Sequence, residues 1–127
     1  MADARFLIDS NIAIYVLDDA ACAPALRIAE FEPGEIITSA IAYAEVMHGI
    51  PLAQTKAAQA LFDVVEVREF DTVAALAYAR LPFRRARFDR LIAAHALSLG
   101  VTLVTNNTAD FADIPDLRVE NWTLPLT

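Results

Sequence analysis

The chain predicts an α/β fold: a short parallel β-sheet flanked by α-helices on both faces, in a single domain spanning residues 1–127. Three observations carry that expectation. Short apolar runs of strand length alternate with longer stretches of helical patterning, an order that builds a parallel sheet with crossover helices. The helical stretches open on capping residues or close on Gly and Pro. With 127 residues, 57% of them apolar and 21% charged, the chain has the size and composition of one domain with a substantial core.

Arg5 to Asp9 reads as a short buried strand, and Ser10-Asn11 are good N-cap residues for a helix through about Leu17. A second helix spans Ala20 to Glu30 and is broken by Pro33-Gly34. Glu35 to Thr38 is the next strand, and Ser39 caps a helix that stops near Gly49-Ile50-Pro51. Alanine-rich Leu52 to Phe62 forms another helix, followed by a strand over Val64 to Phe70. Asp71 caps a helix to Arg80; Phe88 to Leu99 is strongly helical and stops at Gly100. Val101 to Thr105 is the clearest strand, and Leu117 to Glu120 the last. There is no internal repeat and no low-complexity segment.

Uncharged stretches such as Ile36 to Ala44 fall far short of the roughly 20 residues that span a bilayer. The start Met1-Ala2-Asp3-Ala4-Arg5 has neither the basic n-region nor the apolar h-region of a signal peptide. A single cysteine, Cys22, forms no internal disulfide and argues against a thiolate metal site. The expected compartment is therefore the cytoplasm, with no membrane partner.

Four acids stand beside apolar runs: Asp9 after Phe6-Leu7-Ile8, Glu45 between Ala44 and Val46, Asp89 before Leu91-Ile92-Ala93-Ala94, and Asp110 shortly after the run Val101 to Val104. Isolated carboxylates are expensive to take out of water, whereas Mg²⁺ and Mn²⁺ are bound by carboxylate oxygens and retained waters. In open parallel sheets, ligands bind outside the carboxyl ends of strands. Asp9 and the segment Thr105-Asn106-Asn107-Thr108 sit at such ends, Asp89 falls in the first turn of its helix, and Glu45 shares a helical face with Ile41, Ala42 and Gly49. Four acids from separate elements thus converge on one crevice, where a dication holds them charged against mutual repulsion. Acids plus metal is chemistry for phosphate esters.

The net charge of −7 opposes a nucleic-acid partner as a sum but not in its distribution. Nine of ten basic residues are Arg, and Arg80, Arg84, Arg85, Arg87 and Arg90 fall within eleven positions around Asp89. Arg makes bidentate phosphate contacts and stacks on bases, so Arg84, Arg85, Arg87 and Arg90 are candidate RNA-binding residues. The plainer reading is a solvated helix face.

The stretches Phe6-Leu7-Ile8-Asp9-Ser10-Asn11, Ile36-Ile37-Thr38-Ser39 with Ala44-Glu45-Val46-Met47-His48-Gly49, Phe88-Asp89-Arg90-Leu91-Ile92-Ala93-Ala94-His95-Ala96, and Leu103-Val104-Thr105-Asn106-Asn107-Thr108-Ala109-Asp110-Phe111 resemble the PIN-domain ribonucleases. More narrowly they are similar to the VapC-type toxins of bacterial toxin–antitoxin pairs, and Leu117-Arg118-Val119-Glu120-Asn121-Trp122 extends the likeness to residue 122. The resemblance implies that Asp9, Glu45 and Asp89 are the first three metal-binding acids. Ser10 and Asn11 match the polar pair that steadies the first loop, and Thr105 the threonine of the strand-end motif. The family's fourth acid falls on Asn107, a departure that leaves two readings open: Asp110 supplies the carboxylate, directly or through water, or the site runs on three acids. The segment between Ala79 and Asp89 is also shorter than in many relatives.

The activity implied is Mg²⁺- or Mn²⁺-dependent endoribonuclease cleavage of tRNA or rRNA, leaving 5′ phosphate and 3′ hydroxyl ends. The partners implied are a VapB-type antitoxin whose basic tail inserts near the acids, a second copy in a homodimer, and a heterotetramer or larger assembly with antitoxin. Helices Ala20 to Glu30 and Leu52 to Phe62 offer the antitoxin groove, and the net charge of −7 favours a basic partner. The alternative is a catalytically silent domain of the same fold that binds RNA or protein. A phosphoryl-accepting receiver is disfavoured because it needs a late strand-end lysine and the only lysine is Lys56. His48 and His95 are single imidazoles on mostly apolar helices and read as packed or hydrogen-bonded. Trp122, Phe6, Phe70 and Phe111 read as core, while Tyr15, Tyr43 and Tyr78 are undecided.

Overall fold

Leu7 and Ile8, with no exposure at all, lie in a central strand that has a parallel neighbour on each side. The computed structural model describes residues 3–82 and 88–124. That central strand is β1 (Phe6–Ile8), and the sheet order is β3-β2-β1-β4-β5, with β2 at Ile36–Ser39, β3 at Glu66–Arg68, β4 at Thr102–Val104 and β5 at Val119–Glu120. All pairings are parallel, with Leu7 opposite Ile37 on one side and Leu103 on the other. β1, β2 and β4 are buried along their whole length, as strands covered on both faces are, and the Thr38 hydroxyl in β2 is satisfied by donating to Ile8 O.

The helices are α1 (Ser10–Asp18), α2 (Ala23–Ile28), α3 (Ala40–Gly49), α4 (Thr55–Val64), α5 (Thr72–Ala79) and α6 (Phe88–Leu99). Side chains alternate along each strand, so the sheet has a core on each face. Phe6 and Ile8 join Ile12 and Ala13 of α1, Leu61 of α4 and Trp122 on one side. Leu7, Ile37 and Leu103 join Ile92, Ala93 and Ala96 of α6 on the other. Each fully buried Leu or Ile contributes about 1.5–3 kcal/mol by leaving water. Phe6, Phe31 and Trp122 form a compact aromatic group, and Arg27 lies over the Trp122 ring.

Helix ends follow their caps. Asp9, Ser39 and Asp71 accept amide protons from Ile12, Ile41 and Ala74, starting α1, α3 and α5. Gly100, at φ +68, ends α6: its amide bonds Leu97 O, and the next amide, Val101, reaches back to Ala96 O. That pair of bonds needs a left-handed residue between helix and strand, which glycine supplies cheaply.

Several boundaries differ from expectation: α1 is capped by Asp9 rather than by Ser10 or Asn11, β5 begins at Val119 rather than Leu117, and three further elements shift. Helix α2 begins at Ala23 because Pro24 fits only its first turn, and Asp19 already accepts the Ala21 amide in the turn before it. The Leu52 to Phe62 stretch opens as a 3₁₀ turn, Leu52–Gln54, before α4 continues to Val64. Strand β3 is correspondingly shorter, since the Val65 amide still bonds Leu61 O of the preceding helix.

Candidate metal centre

The carboxyl ends of β1 and β4 lie side by side, and the chain leaves both directly into polar residues. After β1 comes Asp9, whose amide donates to Val104 O (3.1 Å) and whose Oδ1 accepts from the Ile12 amide (3.0 Å). The residue that caps α1 is therefore held, only 6% exposed, at the sheet edge. After β4 comes Thr105, also buried, whose Oγ1 accepts the Asn107 amide proton at 3.2 Å. Asp89 enters from the first turn of α6, where the helix dipole favours a carboxylate. Glu45 enters from α3, its Oε1 accepting from Ser10 Oγ at 3.1 Å.

These residues line one cavity of about 380 Å³, walled by Asp9, Ser10, Asn11, Glu45, Asp89, Thr105 and Asn107 and by the apolar Phe88, Ile92 and Phe111. Burial raises the Asp9 carboxyl above its ordinary range. The Thr105 hydroxyl and Ile12 amide work against that rise, and the Asp89 charge adds to it. Glu45 is raised too, first by burial, with Ser10 opposing and Asp89 and Asp9 adding. Mutual repulsion thus ties the three acids to one place.

Asp110 is placed differently. It lies in the 3₁₀ turn Thr108–Phe111, outside the cavity lining, and its Oδ2 accepts from the Asn107 side-chain amide. Asn107 itself occupies the wall. Arg90 departs from the RNA-binding expectation: its side chain is 7% exposed and grips Asp113 with both terminal nitrogens, at 3.0 and 3.3 Å, while also reaching Pro82 O. A guanidinium buried in a bidentate pair fixes the start of α6 to the segment after the 3₁₀ turn and is not presented to a phosphate. Arg84, Arg85 and Arg87 lie outside the described residues.

His95 is buried against Ser39 Oγ (2.8 Å), the hydrogen-bonded role expected of it, whereas His48 is exposed rather than packed; neither lines the cavity. Phe6, Phe111 and Trp122 are core. The residues not singled out from sequence are Phe88 and Ile92. A signal existed: they stand on either side of Asp89 at positions one and three residues away, the spacing of one helix face.

The donor set suits a hard cation. Asp89 Oδ1 is buried with no hydrogen-bond partner, which is costly for a carboxylate unless a cation meets it. Among the described residues no three acidic, His or Cys side chains close into a ready-made cage. An open arrangement of carboxylates is what Mg²⁺ takes, because it retains several waters.

A model of the PIN domain matches residues 6–117. The chain belongs to the PIN-domain family. This PIN domain is 27% identical to the tRNA(fMet)-specific endonuclease VapC of Shigella flexneri and 29% to ribonuclease VapC1 of Haemophilus influenzae; in each case 93% of this chain and 98% of the relative are covered. Among solved structures it is similar to the VapBC2 complex of Rickettsia felis bound to a promoter DNA fragment, with TM-score 0.81 and 25% identity over 92% of this chain and 98% of that one. The DNA-bound VapBC of Salmonella typhimurium superposes with TM-score 0.82 at 26% identity, over 94% and 98% of the two chains. The fold expected from the sequence, a parallel sheet covered on both faces, is the PIN fold.

Proposed function

We propose that this PIN domain is a Mg²⁺- or Mn²⁺-dependent endoribonuclease and the toxin of a type II toxin–antitoxin pair. The observation that carries the reading is the sheet-edge cavity in which Asp9, Glu45 and Asp89 meet, with one Asp89 oxygen buried and unpartnered. Relatives covering 93% of the chain are named VapC endonuclease or ribonuclease, and the similar solved structures are VapBC complexes with DNA. A silent binding domain gives no account of carboxylates kept buried against their own repulsion.

Asp9 and Asp89 would hold the cation, with Glu45 and the Asn107 carbonyl beside them in the lining; Asp110 orients Asn107 through their shared hydrogen bond. Bound there, a dication would supply an acidified water and charge neutralisation for phosphodiester hydrolysis. The chain does the positioning. Ser10 fixes Glu45 Oε1, leaving Oε2 to accept a proton from the attacking water, and Ile12 and Thr105 fix the Asp9 carboxylate. The substrate proposed is tRNA or rRNA, cut to 5′ phosphate and 3′ hydroxyl ends.

The partner proposed is a VapB-type antitoxin with a short basic tail that neutralises the acid cavity. The assembly proposed is a homodimer within a heterotetramer or larger complex. Among the described residues no helix is long and apolar enough to cross a membrane, and the proposed location is the cytoplasm.

The test is RNA cleavage by the purified chain, freed of any bound partner, with Mn²⁺ or Mg²⁺ and with EDTA. Cleavage requires the metal and falls at least about 100-fold in Asp9→Asn and Asp89→Asn, since several kcal/mol of charge stabilisation are withdrawn. Metal-independent cleavage, or full activity in both folded variants, refutes the assignment.

A further inference from the structure

The acid cavity also has an apolar wall. Phe88, Ile92 and Phe111 line it together with the carboxylates. Ile92 and Phe111 are core residues, buried to 1% and 3% exposure. Phe88 is different: it is the first residue of α6, adjacent to Asp89, and 59% of it is exposed. Phe88 and Ile92 are four apart and share a helix face. A phenyl ring standing in water at the mouth of a site for phosphate lacks the burial such a ring ordinarily gains.

A nucleotide is built in the same two parts, an anionic phosphodiester and a base with an apolar π-face. Among the described residues, none of those lining the cavity is Lys or Arg, and Arg90 is engaged by Asp113. The described part of the site therefore offers RNA two handles: the acids with their cation for phosphate, and an exposed aromatic ring for a base.

We propose that Phe88 is a stacking platform for the nucleobase next to the scissile phosphate, backed by Ile92 and Phe111. This rests on the ribonuclease reading above and extends it to a base subsite. Stacking tolerates every base because each has a π-face, so the subsite positions the strand rather than reading a sequence.

The experiment uses a short single-stranded RNA with one mapped cut and Mn²⁺. Two further substrates carry an abasic ribose immediately 5′ or 3′ of the cut. Wild type, Phe88→Ala and Phe88→Trp are compared, with the Mn²⁺-induced rise in Tm as a check that the acids still bind metal. Phe88→Ala lowers kcat/KM about 5- to 150-fold on the intact RNA, the range that one base–aromatic stack covers, and Phe88→Trp retains most activity. On one of the abasic RNAs wild type falls to the level of Phe88→Ala, and there the substitution has no further effect. Equal cleavage by Phe88→Ala, or the same fold-loss on both abasic RNAs, overturns the base subsite and leaves the nuclease standing. If wild type cleaves no RNA in Mn²⁺, the nuclease reading itself fails and takes the subsite with it.

Discussion

Replacing Asp9 with Asn should stabilise the metal-free protein while abolishing the chemistry. Asn caps a helix as well as Asp does, so the bond to the Ile12 amide survives and α1 keeps its start. What disappears is a buried charge. Because the Asp9 carboxyl is raised, first by burial, the folded state holds its proton more tightly than the unfolded state does. The stability tied to that proton is present below the ordinary carboxylate range and lost as pH rises through the raised value, so at neutral pH the full cost is carried. Two ionised carboxylates about 5–9 Å apart repel by roughly 2–3 kcal/mol at an effective dielectric constant of about 20. Asp9 faces two such partners, Asp89 and Glu45, and the open mouth admits screening water. The expected gain is about 1–3 kcal/mol, or about 4–10 °C in Tm for a domain of this size. Saturating metal reverses the order: at a hundredfold excess over Kd a ligand adds about 2.7 kcal/mol to wild type, and little to a variant that lacks the ligand. Thermal unfolding of both proteins in EDTA and across a Mn²⁺ titration reads the crossing directly. An Asp9→Asn variant no more stable than wild type in EDTA, with an equal Mn²⁺ response, would falsify the picture of acids held apart for a cation.

Three further outcomes follow from the same geometry. Asn107→Asp sets a second carboxylate against Asp110 beside the cavity, and should tighten Mn²⁺ binding about tenfold by calorimetry, since ligand charge count tunes such sites; unchanged affinity removes Asn107 from the ion's surroundings. Gly100→Ala meets no steric neighbour but must adopt φ +68, and should cost about 1–2 kcal/mol in chemical denaturation, a loss attributable to backbone handedness alone. His95 is depressed mainly by burial; the Arg68 charge adds to this and Asp71 opposes it, so its neutral form is the one the fold prefers. Its contribution is therefore present above about pH 6.5 and lost as pH falls toward the folded value, at no more than about 1.4 kcal/mol per pH unit. Subtracting the Tm-versus-pH curve of His95→Gln isolates that slope, and coincident curves between pH 5 and 7 would contradict it.

Much of the fold was legible because local signals and tertiary needs agree along this chain. Phe6-Leu7-Ile8 and Leu103-Val104 are strands by composition and central strands by burial, and Ser39 and Asp71 cap the helices expected of them, while Asp9 caps α1 in place of Ser10-Asn11. Boundaries slipped where a local device competes with propensity, as when Pro24 sets the start of α2. Asp9, Glu45 and Asp89 were legible as a cluster because acids beside apolar runs are anomalous, whereas Ser10 and Thr105 were named as site residues only through the family resemblance. Arg90 was not, since a charge cluster in sequence does not reveal that Asp113, 23 positions on, captures one member. Phe88 escaped because nothing in the sequence marks an apolar residue at a helix start as exposed. The fourth position stayed open because one hydrogen bond joins Asn107 and Asp110, making them a unit that spacing alone does not expose.

The placement of the earliest strand in the middle of the sheet has a temporal consequence. Strand β1 is synthesised first, yet one of its two neighbours, β4, begins only at Thr102. At translation speeds of about 5–20 residues per second, the interval from Ile8 to Thr102 lasts about 5–20 s. Glu45 and then Asp89 are added during it, but the sheet edge that holds Asp9 stays unfinished, with β4 and Thr105 still to come. A nascent chain of this architecture carries no working nuclease while it is still attached to the very machinery whose RNAs it is proposed to cut.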